Sequence, residues 1–350
     1  MEIADMTFNN AEKLDMAKSW FYGLRPFFKY GVPFNPERDI APQTGKVILI
    51  TGGASGIGAA FTAHIARHSP AQVWIADLRP EAAEKAISAI SAECPDVGLH
   101  FLQLDLGDAE SVNRAAREFL SRTDRLDLLV NNAGIIPAKG WTTKDGYEAM
   151  FGVNFVGHAR LTDLLLPRLL ETAATPGADV RVVSVASGGH GVHPRPDGVL
   201  LGGDGALLRE PTCGGVTTMQ RYAQSKLAVM LWVRRLAREC PALTVVSAHP
   251  GTVATGIANE MSGGKPIKLP QFVIRITGTK TPETGAYNQL WCATAPRGQV
   301  VSGKYYCPVG LPGHEFGIAQ DRTKADDLEE RLWAWLHKEL KGENLVKLDG

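Results

Sequence analysis

Apolar residues in this chain come in short unbroken runs, separated by longer stretches with helical spacing. Val47-Ile48-Leu49-Ile50 is the first run, and it ends in a glycine cluster followed by a helical stretch from Gly58 to about His68. Val73-Trp74-Ile75-Ala76 is the second, ahead of an Ala/Glu-rich helix over about 80–92. Runs at Leu99–Leu104, Leu126–Val130, Arg181–Val185 and Thr244–Ala248 follow, with helices predicted near 109–122, 147–170 and 222–239. Continuous apolar strands alternating with helices predict a parallel sheet covered on both faces. The fold class expected is α/β, one doubly wound domain over 45–350, with no composition break marking a second. Residues 1–44 read as an N-terminal extension packing on that core. Trp20, Phe21, Tyr22, Phe27, Phe28 and Tyr30 cluster there, while Pro26, Pro33, Pro36 and Pro42 interrupt regular structure.

Composition adds exclusions. Thirty-seven Lys and Arg balance thirty-seven Asp and Glu, so no net field draws the chain to nucleic acid or an anionic membrane. The five cysteines, Cys94, Cys213, Cys240, Cys292 and Cys307, include no CxxC pair and fit neither a disulfide framework nor a zinc site. No metal is therefore expected, and scattered thiols suit a reducing compartment. No apolar run is long enough to span a bilayer. The acidic start, MEIADMTFNNAEKLD, does not read as a secretory signal, which makes the cytoplasm the expected location.

The glycine cluster is placed where chemistry can use it. Thr51-Gly52-Gly53-Ala54-Ser55-Gly56-Ile57-Gly58 lies between a strand and a helix. Residues without side chains let the backbone turn sharply and approach a pyrophosphate, which the helix N-terminus attracts. Asp77 closes the second strand 25 residues after Gly52, where a carboxylate can accept both hydroxyls of an adenosine ribose. Asp105-Leu106 ends the third strand, beside the expected adenine edge. Asn131-Asn132-Ala133-Gly134 ends the fourth with small residues that let the chain pass a bound dinucleotide. All four ends lie at the carboxyl edge, where doubly wound sheets bind ligands.

A second set of residues carries proton chemistry. Ser187 follows the fifth strand, and Tyr222 and Lys226 stand one helical turn apart in Tyr222-Ala223-Gln224-Ser225-Lys226. Carbonyl reduction needs a proton donor and alcohol oxidation an acceptor. A free phenol, with pKa about 10, is a poor base near neutrality. An adjacent ammonium and a positive nicotinamide ring are expected to lower it. Ser187 is expected to hold the substrate oxygen, and Asn154 to order a water leading from Lys226 to solvent.

Together these residues resemble the classical type of short-chain dehydrogenase/reductase. The resemblance rests on Thr51-Gly52 with Gly56-Ile57-Gly58, Asn131 to Gly134, Asn154, Ser187, Tyr222 with Lys226, and Pro250-Gly251, and covers about residues 45–310. It implies an Asn–Ser–Tyr–Lys tetrad and a Rossmann-type sheet of about seven strands. His249-Pro250-Gly251-Thr252-Val253-Ala254-Thr255, Thr281-Pro282-Glu283 with Gly285-Ala286, and Gly303-Lys304-Tyr305-Tyr306 resemble the retinol-dehydrogenase-like branch. The same resemblance puts Val253 and Thr255 by the carboxamide end of the nicotinamide. It implies hydride transfer between a nicotinamide dinucleotide and an alcohol or carbonyl carbon of a bulky, largely apolar small molecule. Where that branch often carries a basic residue suited to NADP, this chain has Asp77, then Leu78, and Arg79 only afterwards. NAD is therefore the expected cofactor, with NADP the alternative. Relatives often form homodimers through the helices bearing Asn154 and Tyr222.

Two other readings belong to different classes. An epimerase or dehydratase of the extended short-chain type suits the length, but those proteins usually show TGxxGxxG rather than the spacing found here. A non-catalytic dinucleotide sensor has no need of both Ser187 and Tyr222. The excursion over 188–221 is 34 residues long, rich in Gly and Pro, with Val199, Leu200, Leu201, Leu207 and Leu208 in its middle. It is expected to form one wall of an apolar substrate pocket, with 256–280 as the other.

Overall fold

Seven parallel strands lie in the order β3-β2-β1-β4-β5-β6-β7. They are β1 (Val47–Thr51), β2 (Gln72–Asp77), β3 (Gly98–Gln103), β4 (Leu128–Asn131), β5 (Arg181–Val185), β6 (Thr244–Ala248) and β7 (Tyr305–Tyr306). The computed structural model describes residues 31–194, 196–251, 253 and 281–340. Every residue of β1, β4 and β5 is buried, as expected of strands with helices on both faces. The strand order reverses between β1 and β4, which opens a crevice at their carboxyl ends. This is a single doubly wound Rossmann-like domain.

The helices are α1 (Gly56–Ala66), α2 (Pro80–Glu93), α3 (Ala109–Arg122), α4, α5 (Thr218–Glu239), α6 (Tyr287–Thr294) and α7 (Arg322–Leu340). Helix α4 is composite: Ala149–Phe151, a π-helical turn Gly152–Val156, and Gly157–Ala173. Helix α5 begins four residues before Tyr222 because Thr217 and Gln220 form a reciprocal cap. Gln220 N–H donates to Thr217 Oγ1 at 3.2 Å, and Thr217 N–H donates to Gln220 Oε1 at 3.0 Å. Among the described residues no helix is long and apolar enough to cross a membrane.

Helix α7 was not apparent in the sequence pattern, and it changes the surface around the site. Its Leu328, Leu332, Trp335 and Leu336 are buried in the main core. Trp335 meets Phe151 and Tyr147 edge-on at 5.7 and 6.0 Å. Arg234 of α5 pairs with Asp326 at 2.9 Å and with the buried Glu329, which also takes Arg238. The chain thus covers α5 and the start of α4 with α7, on the elements through which relatives often pair. Light scattering of the purified chain should give a monomer near 37.7 kDa. A stable dimer retaining α7 in place would show that self-pairing uses another face.

The 188–221 excursion reaches the core. Val199, Leu200, Leu201 and Leu208 are buried in the main core. A side chain at Gly198 (φ +74°) would meet Leu328, Ile318 and Leu227, so the backbone there is wedged between α5 and α7. Trp335 Nε1 donates to Asp204 O at 3.3 Å. The apolar middle therefore seals the core under α7. The proposed opposite wall, 256–280, lies outside the described residues, as do residues 1–30 of the N-terminal extension. Of that extension, Val32 N–H donates to Val309 O at 2.9 Å, and Phe34 meets Tyr287 edge-on at 6.0 Å.

Candidate active site

The glycine loop is shaped by contact as much as by conformation. Gly52 and Gly56 hold positive φ of +65° and +55°. Gly58 does not, yet a Cβ there would stand 2.0 Å from Gly52 O and 2.6 Å from Asn132 Nδ2. Only hydrogen at that position lets α1 seat against its own loop. Ser55 stands at the N-cap of α1 without a side-chain bond to the helix, so its hydroxyl leaves the first turn's N–H groups uncapped. The Ser55 hydroxyl instead accepts from Arg79 Nη2 at 2.7 Å.

Thr51 joins β1 to β4 across the crevice. Its hydroxyl accepts from Asn132 N–H at 2.9 Å and Ala133 N–H at 3.0 Å. Asn132 Nδ2 donates to Thr51 O at 2.9 Å, while Asn131 Nδ2 donates to Thr162 Oγ1 and Ser184 Oγ. Asp77 is buried at the end of β2, accepting from Ala54 N–H at 3.2 Å and Arg79 N–H at 3.1 Å. Arg79 Nε lies 3.5 Å from the same carboxylate, which puts this guanidinium across the outer end of the loop. Asp105 turns back to accept Gly107 N–H at 2.8 Å, and Leu106 is buried in the core. Pro250 and Gly251 (φ +90°) follow β6. A Cβ on Gly285 would meet Val253 Cγ2 at 2.8 Å and Ile57 Cγ1 at 3.3 Å, so Val253 reaches the start of α1. Thr255 lies outside the described residues.

Asn154 and Lys226 meet beside Gly134, and Ser187 and Tyr222 meet beside Gly189. A Cβ on Gly134 would stand 3.3 Å from Asn154 Oδ1 and 3.6 Å from Lys226 Nζ. Asn154 sits in the π-helical turn of α4, where the local bulge redirects side chains. Its Oδ1 accepts Ile135 N–H at 2.8 Å, and its Nδ2 donates to Ile135 O and Ser225 Oγ at 3.2 Å each. Lys226 is buried and donates to Val185 O at 2.8 Å, with Nζ 5.9 Å from the Tyr222 ring centre. Ser187 Oγ accepts Gly189 N–H at 3.0 Å.

The electrostatics differ from expectation in one respect. Burial pushes the Tyr222 phenol up, with the Ser187 hydroxyl bonded to it and pulling the other way. Lys226 was expected to depress Tyr222. Its ammonium is instead tied to Val185 O, and burial drives Lys226 down to about 8. A lysine depressed in the fold costs stability when protonated, and that cost fades as pH rises from about 8 toward the ordinary 10.5. Lys226→Met should therefore be most favourable relative to wild type below pH 8, with the gap closing by pH 10.5. Urea unfolding of the ligand-free pair across that window checks it; a constant gap would place Lys226 in a solvated setting.

His158, absent from the sequence reading, completes the framework. It is buried one turn after Asn154, with Nδ1 3.1 Å from Asn154 O and Nε2 2.8 Å from Thr51 Oγ1. Burial drives it down to about 3, so it is neutral and links the π-turn to the floor of the glycine loop. Asn288 ties the same end together, its Nδ2 donating to His249 O and Tyr306 O at 2.8 Å each.

Comparison with known proteins bears on the family and the fold. The profile described as short chain dehydrogenase matches residues 46–195. A short-chain dehydrogenase/reductase, drtF of Aspergillus calidoustus, is 33% identical over 86% of this chain and 96% of its own length. The chain belongs to the short-chain dehydrogenase/reductase family. A mouse protein named polyprenol dehydrogenase is 34% identical over 84% of each chain. Among solved structures, an uncharacterized protein from Mycobacterium paratuberculosis superposes with a TM-score of 0.65 at 25% identity, covering 89% of this chain and 99% of its own. The fold is shared with a 3-ketoacyl-(acyl-carrier-protein) reductase from Brucella melitensis complexed with NADH, at TM-score 0.56 and 24% identity over 75% and 96% of the two chains.

Proposed function

We propose that this chain is a nicotinamide-dinucleotide-dependent oxidoreductase that interconverts an alcohol and its carbonyl on a bulky, largely apolar small molecule, with Tyr222 as acid/base. The observation that carries the reading is the pairing of Ser187 with Tyr222 beside Gly189 and of Lys226 with Asn154 beside Gly134, with Lys226 Nζ 5.9 Å from the Tyr222 ring, at the carboxyl ends of the strands that also carry the glycine loop. The family supports redox chemistry. The name of the mouse and human relatives, polyprenol dehydrogenase, supports a long apolar alcohol as substrate class.

The residues present fit a dinucleotide. The hydrogen-only contact of Gly58 with Gly52 O, the uncapped N-terminus of α1 and the buried Asp77 carboxylate form a cradle for pyrophosphate and ribose. When bound, the nicotinamide ring supplies or accepts the hydride. Ser187, its Oγ already accepting Gly189 N–H, presents its hydroxyl to the substrate oxygen. Tyr222 takes the alcohol proton in oxidation or gives one in reduction. Lys226, with Asn154 beside it, offers the route for that proton away from the site, and a lysine whose pKa is about 8 is suited to passing protons near neutrality.

Cofactor choice follows from Asp77 and Arg79. A 2′-phosphate placed by the Asp77 carboxylate meets like-charge repulsion, about 4 kcal/mol at 4 Å and an effective dielectric of 20, reduced by solvent to roughly 1–2. Arg79 lies against the same carboxylate and offsets part of that repulsion. Wild type should favour NAD over NADP by about tenfold in kcat/KM, and Arg79→Ala should widen the ratio. Steady-state kinetics with both cofactors measures it. Equal or better efficiency with NADP, or a ratio untouched by Arg79→Ala, would overturn this assignment of roles.

A further inference from the structure

Ser187 is followed by a 3-10 turn, Gly188–Val192, and His190 within it and His193 just after it are buried with no role in the proton chemistry. Both make the same pair of bonds. His190 Nδ1 lies 2.7 Å from Ser187 O, and its Nε2 accepts Phe316 N–H at 2.9 Å. His193 Nδ1 lies 2.9 Å from Pro194 O, and its Nε2 accepts Ile318 N–H at 3.0 Å. A carbonyl only accepts and a main-chain N–H only donates, so each imidazole carries its hydrogen on Nδ1 and is neutral. The bonds fall on alternate residues of Phe316-Gly317-Ile318. Gly317, at φ +60°, is pressed so close that a Cβ would stand 2.3 Å from His193 Nε2. The His190 ring is further held edge-on to Tyr305 at 5.4 Å and tilted on Phe316 at 5.5 Å.

We propose that His190 and His193 are positioning residues, a two-imidazole brace that fixes the Ser187 turn against Phe316–Ile318. The consequence for chemistry runs through the turn. Gly189 N–H occupies one lone pair of Ser187 Oγ only while the turn keeps its shape. That bond orients the hydroxyl toward Tyr222 and the substrate oxygen. A segment more than 120 residues away in sequence thereby sets the aim of a residue at the reacting centre. Burial drives His190 down to about 4, in keeping with a ring that must stay neutral to accept Phe316 N–H. This inference rests on the reading of Ser187 as the residue that holds the substrate oxygen.

The test uses the full chain with geranylgeraniol and NAD as probes, and variants His190→Phe and His190→Gln. Phenylalanine keeps the ring but removes both bonds, whereas the glutamine amide reaches far enough to accept Phe316 N–H. His190→Phe should lose about 10- to 100-fold in kcat, since small misplacements near reacting atoms have effects of that size. The KM for NAD should stay within about twofold. Amide exchange at 316–318 should accelerate in His190→Phe, and His190→Gln should recover protection and part of kcat. The brace is refuted by a folded His190→Phe with wild-type kcat, by a KM for NAD rising in step with the loss, or by a Gln variant no better than Phe. Failure of both variants to fold would make His190 part of the general scaffold and also refute it. A wild-type chain without turnover on this or any other alcohol would sink the dehydrogenase reading instead, while exchange at 316–318 still reports on the brace.

Discussion

Tyr222→Phe is expected to lower turnover by about 10²–10⁴-fold, the usual contribution of general acid–base assistance. The substitution removes one oxygen and leaves the ring against its neighbours, so the fold and the glycine loop keep their shape. Dinucleotide binding should therefore persist, and kcat and kcat/KM should fall together. The burial that pushes the phenol up keeps it protonated at neutral pH, so the loss should be larger in reduction, where the site must donate a proton. Steady-state kinetics in both directions, with cofactor fluorescence titration as control, measures this. More than about a tenth of wild-type activity in the Phe variant would remove Tyr222 from the chemistry.

Gly58→Ala should be nearly as damaging, by a different route. The added methyl would sit 2.0 Å from Gly52 O, a main-chain atom with no rotamer to escape into, and 2.6 Å from Asn132 Nδ2. Helix α1 must then move away from the loop, at about 1–3 kcal/mol of stability, typical of forced overpacking. The pyrophosphate cradle opens with it, and if binding must restore that 1–3 kcal/mol, affinity for the dinucleotide should fall by roughly 5- to 150-fold, since 1.4 kcal/mol is tenfold. Isothermal titration with NAD and thermal unfolding of the same sample separate the two effects. Unchanged affinity in a normally folded variant would show that the ligand does not use this loop.

The parts legible in the sequence are those whose cause is local. β5 (RVVSV) and β6 (TVVSA) were read at their bounds because buried parallel strands are rich in β-branched apolar residues. The glycine loop was legible because Gly52, Gly56 and Gly58 serve backbone geometry that few other residues permit. Tyr222 and Lys226 were legible as neighbours because they stand one helical turn apart, and Ser187 as a residue that follows a strand, whereas the set with Asn154 came from the family resemblance. β7, with two residues, is too short to carry a pattern, and the π-turn at Asn154 looks like ordinary helix in sequence. His158, His190 and His193 were missed because each bonds to a partner more than 100 residues away, which periodicity does not register. The packing of Val199, Leu200, Leu201 and Leu208 under α7 was missed for the same reason. A Gly/Pro-rich loop with an apolar middle looks like a lid until α7, a distant helix, is seen to need it as a seat.

The central claim is hydride transfer from an apolar alcohol with Tyr222 as base, and the most direct measurement is absorbance at the reduced-nicotinamide band. Wild type and Tyr222→Phe would be incubated with NAD and a series of prenyl alcohols of increasing length. The account predicts a rise in absorbance with wild type, greater efficiency for the longer alcohols, and almost none with Tyr222→Phe despite retained NAD binding. A wild-type chain that binds NAD yet forms no reduced cofactor with any alcohol, and consumes none with the matching aldehydes, would contradict it.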